Sequence, residues 1–318
     1  MNGGGGSAAG AEAAGSAAGA DRLPIDEHCR RPPAEPLRRY VAYYTGYRQR
    51  GVPPARHRGL PSPFLTLIFT LNEPLVLLAH PDPRQPPGEF AALLGGLHSA
   101  PALVVHDGAQ SGVQVALRPF GARALLGLPA GELAELDVPA EAVLGGACAE
   151  FRDRALAAAS WPERFAILDE ILLRVGSGRG AGPGTGRAPG VAPEVSFAWR
   201  RLLRAGGAVR VSDLAVETGW SSRHLTGRFR TEIGLTPKAA ARVIRFSRAR
   251  HLLIRQATAP AEAGDIGYRL ADLAVACGYF DQAHLAREFR SLAGCPPSQW
   301  LTEEFRNIQA GAWLFERA

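Results

Sequence analysis

Lysine is nearly missing from this chain: among 36 basic residues only Lys238 is not arginine. The bias suggests a GC-rich genome and says little about mechanism. Cysteine is scarce as well. Cys29, Cys148, Cys277 and Cys295 stand alone, with no CxxC and no Cys-His pairing at metal spacing. That excludes a disulfide scaffold or a zinc ribbon, and it fits a reduced, cytoplasmic setting with the thiols as small core hydrophobes. No apolar run reaches the roughly eighteen residues that a membrane helix needs. The first twenty residues, MNGGGGSAAGAEAAGSAAGA, lack a positive n-region and an apolar core, so they read as a disordered tail and not as a signal peptide. No P-loop, nucleophile elbow or GxGxxG in strand context is present, so an enzyme is not expected, and neither is a cofactor. His57, His80, His98 and His106 could be gathered around a metal by a barrel. None pairs at His-x-His or His-x-x-x-His spacing, and surface or core histidines are the expectation, with no metal site.

What is present is more telling. A chain of 318 residues should hold two domains, since single cores rarely grow past about 250 residues. The net charge of +6 is unevenly spread: residues 1–193 hold 18 basic and 18 acidic side chains, and residues 194–318 hold 18 and 12. Within residues 199–255 the count is 13 against 3, the electrostatic footprint of a polyanion-binding surface. Between the halves lies GSGRGAGPGTGRAP, residues 176–189, Gly-rich and without apolar periodicity, which reads as a linker.

Before the linker the pattern is α+β. FLTLIFTL (64–71), PLVLLAH (74–80), ALVVHD (102–107) and GVQVALRP (112–119) are short apolar segments bounded by Pro, Gly or Asn, and they predict strands. Val113, Val115 and Leu117 alternate with Gln114, Ala116 and Arg118 at the period of a half-buried strand. ARALLGL (122–128), AGELAEL (130–136) and the stretch from Ala149 to Val175 predict helices. The aromatic stretch Tyr40 to Tyr47, with Phe64 and Phe69, offers apolar walls of the kind small-molecule pockets use, or simply a core. After the linker no convincing strand remains. Helices are expected from Phe197 to Gly206, Val211 to Thr218, Ser221 to Glu232, Pro237 to Arg255, Leu270 to Cys277 and Asp281 to Ser291, with a last one opened by Pro296-Pro297. In the long one, Val243, Ile244, Ser247, Leu252 and Ile254 mark the expected buried side.

DLAVETGWSSRHLTGRFR (213–230) and DLAVACGYFDQAHLAREFR (272–290) spell nearly the same sentence twice. The offset is 59 residues up to the glycine and 60 after it, so the second copy carries one extra residue in its turn. Each copy predicts two short helices joined at a glycine, Gly219 or Gly278, where positive φ is cheap only without a Cβ. Leu214, Leu225 and Phe229, with Leu273, Leu285 and Phe289, would hold the helices together. This is the logic of a helix-turn-helix whose second helix enters the DNA major groove. The helix between the copies, Lys238 to Arg255, has eighteen residues, ~27 Å, and with its flanking turns would reach the next major groove, one turn of B-DNA away.

These residues carry a resemblance. Ala274, Gly278, Tyr279, Asp281, Gln282, Ala283, His284, Leu285, Arg287, Phe289, Arg290, Gly294 and Pro297 meet the second-motif signature of the AraC/XylS family of bacterial transcription regulators, one-residue surplus included. GVQVALRPFGARALLGLPAGELAELDVPAEAVLG (112–145) is similar to the N-terminal sensor region of family members. The resemblance implies a cupin-like barrel or small sheet plus helices, which binds an effector or dimerises, joined to an all-α tandem helix-turn-helix domain. The expected partition is a tail (1–20), a sensor or dimerisation domain (21–175), a linker (176–192), the DNA-binding domain (193–304) and a C-terminal tail (305–318).

Double-stranded DNA is then the expected partner, with an unidentified small-molecule effector, and with RNA polymerase and a second copy of the chain as further candidates. Base reading is expected of Ser222, Arg223, Thr226 and Gly227 in the first motif and of Gln282, Ala283, Ala286 and Arg287 in the second. Arg223 suits guanine, Gln282 adenine, Thr226 a thymine methyl, and Arg287 guanine or phosphate. Arg228, Arg230, Arg242, Arg245, Arg248 and Arg290 are expected to grip phosphates. The alternative is a metal-binding cupin-like enzyme or metal sensor fused to a DNA-binding module.

Overall fold

The structure, a computed structural model, describes residues 24–178, 191–258 and 270–309, the side chains of 305–309 excepted. The expected N-terminal tail, most of the linker and residues 310–318 lie outside the described residues.

Among the described residues the first half holds ten strands: β1 (Ile25–Arg31), β2 (Val41–Arg50), β3 (Ala55–Gly59), β4 (Leu65–Thr70), β5 (Leu75–Ala79), β6 (Gly88–Phe90), β7 (Ala92–Gly95), β8 (Ala102–His106), β9 (Ala109–Leu117) and β10 (Asp137–Pro139). They pair antiparallel into a six-stranded sheet, β1-β2-β9-β4-β7-β10, and a four-stranded sheet, β3-β8-β5-β6. The four strands predicted from apolar runs are β4, β5, β8 and β9. The others escaped that reading because they are polar or very short: β1 is IDEHCRR and β6 has three residues.

Alternation in the six-stranded sheet separates two buried faces rather than core from solvent. Val113, Val115 and Leu117 are fully buried on one face, while Gln114 and Ala116 line a cavity on the other. Gln114 therefore looks inward, where the period alone suggested a solvated face. The same split divides the aromatics. Tyr43, Tyr47 and Phe64 line the cavity. Tyr44 and Phe69 face away, against Phe165 at 5.7 Å and Phe151 at 4.6 Å.

Helices cover that outer face. The chain leaves β9 through α1 (Pro119–Gly121) and a π-helical turn (Ala122–Leu126), then passes α2 (Glu141–Leu144) to α3 (Ala147–Ala157) and α4 (Trp161–Gly178). Asp169 on α4 pins helix to sheet: its Oδ1 accepts from the Tyr44 hydroxyl at 2.8 Å and from the Ala34 N–H at 3.0 Å. Two expectations need correction. Residues 130–136 make only a 3-10 turn, Ala130–Leu133, because Glu135 turns the chain at φ 62 with its carboxylate held by Ser99, and β10 follows. The helix expected to end at Val175 runs on through Gly178, with Gly176 still buried.

Among the described residues the elements of the second half are all helices: α5 (Pro193–Arg204), α6 (Val211–Thr218), α7 (Ser222–Ile233), α8 (Pro237–Thr258), α9 (Leu270–Ala276), α10 (Gln282–Ala293) and α11 (Pro297–Gln309). The last helix continues past residue 304, where a tail was expected. α8 has 22 residues, ~33 Å at the helical rise. Leu253, not Leu252, is the fully buried leucine on it. α8 is enclosed from several directions, so its apolar positions do not mark one simple face.

The two halves share one core and are joined by polar ties. Arg123 donates from Nε and Nη2 to both oxygens of Glu232 on α7, at 2.8 and 2.9 Å. Gly131 lets the 3-10 turn press on the end of α7, since a Cβ there would stand 2.2 Å from the Thr231 carbonyl oxygen. Arg58 on β3 reaches α11, pairing with Glu303 and donating its backbone N–H to Glu304 at 3.1 Å.

The Arg123–Glu232 tie should fail asymmetrically. The Glu232 side chain is 3% exposed and that of Arg123 is 24% exposed. Arg123→Ala strands a buried carboxylate and should cost about 3 kcal/mol, whereas Glu232→Ala leaves a guanidinium that can turn to water and should cost about half as much. Urea midpoints of the two variants check this. A second expectation concerns acid. Burial, reinforced by neighbouring His106, brings the His57 pKa from 6.5 down to about 4. The unfolded chain then binds the extra proton first, so the contribution of His57 is complete above pH 6.5 and is lost as pH falls toward 4. The urea midpoint should drop across that window, and less steeply in His57→Asn.

Candidate nucleic-acid interface

Each copy of the repeat is a short helix, a glycine turn and a longer helix. Gly219 and Gly278 close α6 and α9 at φ 70 and 74. In both turns the next residue donates its N–H back across the helix end, Trp220 to the Ala215 carbonyl at 3.1 Å and Tyr279 to that of Ala274 at 2.9 Å. The second helices begin at side-chain caps: Ser221 accepts from the His224 N–H at 3.2 Å and Asp281 from the His284 N–H at 2.6 Å. Leu214, Leu225 and Phe229 are fully buried, as are Leu273, Leu285 and Phe289. Phe229 packs on Trp199 of α5 at 6.1 Å, and Phe289 sits between Phe246 of α8 at 4.9 Å and Trp300 of α11 at 5.7 Å.

Aligning the caps sets Ser222, Arg223, Thr226 and Gly227 against Gln282, Ala283, Ala286 and Arg287. Ser222, Arg223, Gly227, Gln282, Ala283 and Arg287 are exposed, and Thr226 and Ala286 are half-buried at the flank of the same face. Each helix thus offers one arginine, at its second position in α7 and at its sixth in α10. Gly227 meets nothing within 4 Å of a notional Cβ, so the gap at its position faces open space.

The six arginines expected on phosphates divide. Arg228, Arg230, Arg248 and Arg290 are exposed. Arg242 instead ties α8 to α10, with its Nε 2.8 Å from Glu288 and its Nη2 3.1 Å from Ser291. Arg245 donates to the Gly278 carbonyl at 3.2 Å and lies 5.2 Å from the Tyr279 ring centre, bracing the second turn. These two are spent on holding the motif. Sequence position alone could not separate them, since all six lie on helices beside the motifs.

Between the two sheets lies a cavity of about 220 Å³. Leu60, Phe64, Ile68, Leu75, Leu77 and Val104 supply apolar wall, and Thr45, Gln49, Gln114 and Tyr43 supply polar points. His57 and His98 line it too, both kept neutral by burial, with His98 Nδ1 donating to the Ala100 carbonyl at 2.5 Å. Of the four histidines weighed as metal donors, His57 and His106 stand 6.0 Å apart, ring to ring, and His80 is paired to Asp137 at 2.8 Å. Among the described residues no group of three His, Cys, Asp or Glu could hold a metal ion. The four cysteines are free thiols, three of them buried. The sequence reading missed two lining residues, Arg250 and His251 of α8, which bring the DNA-binding half to the cavity wall. Nothing in their spacing signals it, because they line a surface formed only when the halves meet.

Residues 214–303 match a family model described as a helix-turn-helix domain, and residues 29–139 match one described as a domain of unknown function (DUF6597). No curated protein matches the chain. Among solved structures, ToxT from Vibrio cholerae is similar over 82% of this chain and 97% of its own, at 12% identity and a TM-score of 0.47. ToxT from strain SCE256, solved with a bound unsaturated fatty acid, is similar over 82% and 94% at 11% identity and a TM-score of 0.45. The C-terminal domain of AraT, a response regulator from Geobacillus stearothermophilus, is similar over 35% and 84% at 20% identity and a TM-score of 0.29. Among the described residues no helix is long and apolar enough to cross a membrane. Through the tandem helix-turn-helix that spans the match at residues 214–303, the chain carries a DNA-binding domain of the AraC type.

Proposed function

We propose that the protein reads two successive major grooves of one DNA duplex, with α7 in one groove and α10 in the next, and that a small molecule held between its sheets modulates this binding. The observation that carries the first part is α8, which opens directly after α7 and holds α10 through Arg242–Glu288 at 2.8 Å and Phe246–Phe289 at 4.9 Å, so both readers are fixed to one helix. Arg223 and Arg287 are the strongest candidates for guanine, Gln282 for adenine and Thr226 for a thymine methyl. Arg228, Arg230, Arg248 and Arg290, all exposed, are the candidates for phosphates, and affinity should fall with salt accordingly.

The effector half of the reading rests on the cavity. Its apolar walls and neutral polar groups suit a largely apolar molecule, and Arg30, Arg58, Arg250 and Asp137 on the same lining offer charged partners for a weakly charged group on it. Because Arg250 and His251 form part of the wall, such a molecule would touch the helix that spaces the two readers. Self-association through residues 21–175 and contact with RNA polymerase complete the proposal and are open to sedimentation and pull-down. The metal-centred alternative has little support, since the four histidines do not converge.

Arg287→Ala should cost about 1–3 kcal/mol of operator binding and relax preference at one base pair if Arg287 reads a base. An even loss across sequences with a shallower salt slope would assign it to phosphate, and unchanged binding would remove it from the interface. For the effector, a thermal-shift screen of uncharged and weakly charged metabolites should yield a compound that stabilises the protein and changes operator affinity. Ile68→Trp, which fills the cavity, should abolish both responses while leaving ligand-free DNA binding intact.

A further inference from the structure

Among the described residues, Phe280 is the most exposed of the large hydrophobic side chains, at 89%. Its place explains why that matters. The hydrogen bonds that close the two turns make Trp220 and Tyr279 equivalent, and the caps make Ser221 and Asp281 equivalent. Between Trp220 and Ser221 there is no residue; between Tyr279 and Asp281 there is one. Phe280 is therefore the surplus residue of the second copy, and it directly precedes the cap of α10.

Its neighbours fix its direction. Tyr279 turns inward, 4% exposed, with its ring edge-on to His284 at 5.3 Å and Arg245 beyond. The Phe280 N–H donates to His284 Nδ1 at 3.3 Å, which holds the backbone and leaves the ring no inward path. An aromatic ring held in water at this point gains nothing for the fold. At the N-terminal end of a helix that enters the major groove, it stands where base edges and thymine methyl groups lie.

Resting on the two-groove reading, we propose that Phe280 is a specificity-determining residue that packs against the C5 methyl group of a thymine at the edge of the α10 half-site. The four candidate readers of α10 supply polar contacts or, in Ala283 and Ala286, small ones. Phe280 adds the one large apolar contact, and a methyl group is the only apolar feature on a base edge in that groove. A first copy without the surplus residue has no counterpart, so the preference belongs to one half-site alone.

The test uses the full chain. Binding sequences are first selected from a random duplex pool, and each thymine of the selected site is then replaced by uracil, which removes only the methyl. The wild-type protein should lose about fourfold in affinity at one position within the α10 half-site, the worth of one buried methyl group. Phe280→Ala should bind the thymine site about fourfold more weakly and show no difference between thymine and uracil there. Phe280→Leu should keep the discrimination, and thermal unfolding of both variants should match the wild type. If the wild-type protein selects sequences but no uracil substitution matters, or if Phe280→Ala still senses the methyl, the proposal is overturned. If the wild-type protein selects no sequence at all, the two-groove reading fails first.

Discussion

The enclosure of α8 is the constraint on which the rest depends. Ala240, Val243, Ile244, Phe246, Ala249, Leu253 and Ile254 are buried along it, together with the polar Ser247 and Arg250. Phe246 receives the second motif through Phe289, α5 and α7 pack along the same helix, and the end near Arg250 and His251 closes the cavity between the sheets. A helix fixed from so many directions cannot tilt toward one neighbour without disturbing the others. That is the physical basis for reading it as both the spacer of the DNA readers and the element that would sense a filled cavity. The Arg123–Glu232 and Arg58–Glu303 ties act at other points of the same contact between halves, so the DNA-binding half is held by the first half at α7, α8 and α11 together.

The two motifs are alike where they fold and different where they face outward. Both end their first helix at a left-handed glycine, both cap the second with a short oxygen side chain, and both bury a Leu and a Phe four residues apart. Outside, the arginine moves from the second to the sixth position, and Phe280 is added to one copy only. Packing tolerates little variation in the first set, because each position fills a fixed volume against α5, α8 or α11. The outward set meets no such constraint, which leaves it available to specify two unlike half-sites.

Cavity and core are divided by parity along single strands. In β2, Tyr43, Thr45, Tyr47 and Gln49 line the cavity, while Tyr44 is buried under α4 and a Cβ on Gly46 would strike Trp161. Polar residues on the cavity side therefore carry the same two-residue period as a solvated face. Only the presence of the second sheet turns that face inward, and the second sheet is assembled from strands distant in sequence, β3 pairing β8 and β8 pairing β5.

What the sequence determined by itself is what local chemistry can determine. The glycine turns, the caps Ser221 and Asp281, the leucine and phenylalanine spacing of both motifs and the basic excess around them are all set by residues within a few turns of one another, and so is the surplus residue that separates an offset of 59 from one of 60. What only the tertiary structure decided involves partners far apart in the chain. Gln114 faces a cavity and not water, Arg242 is spent on Glu288, residues 134–136 leave a helical pattern to lead into β10, which pairs with β7, and Glu232 of α7 is tied to Arg123, 109 residues away. Periodicity reports that a side chain is buried or polar. It does not report what lies opposite, because burial is set by whatever distant segment the fold brings there.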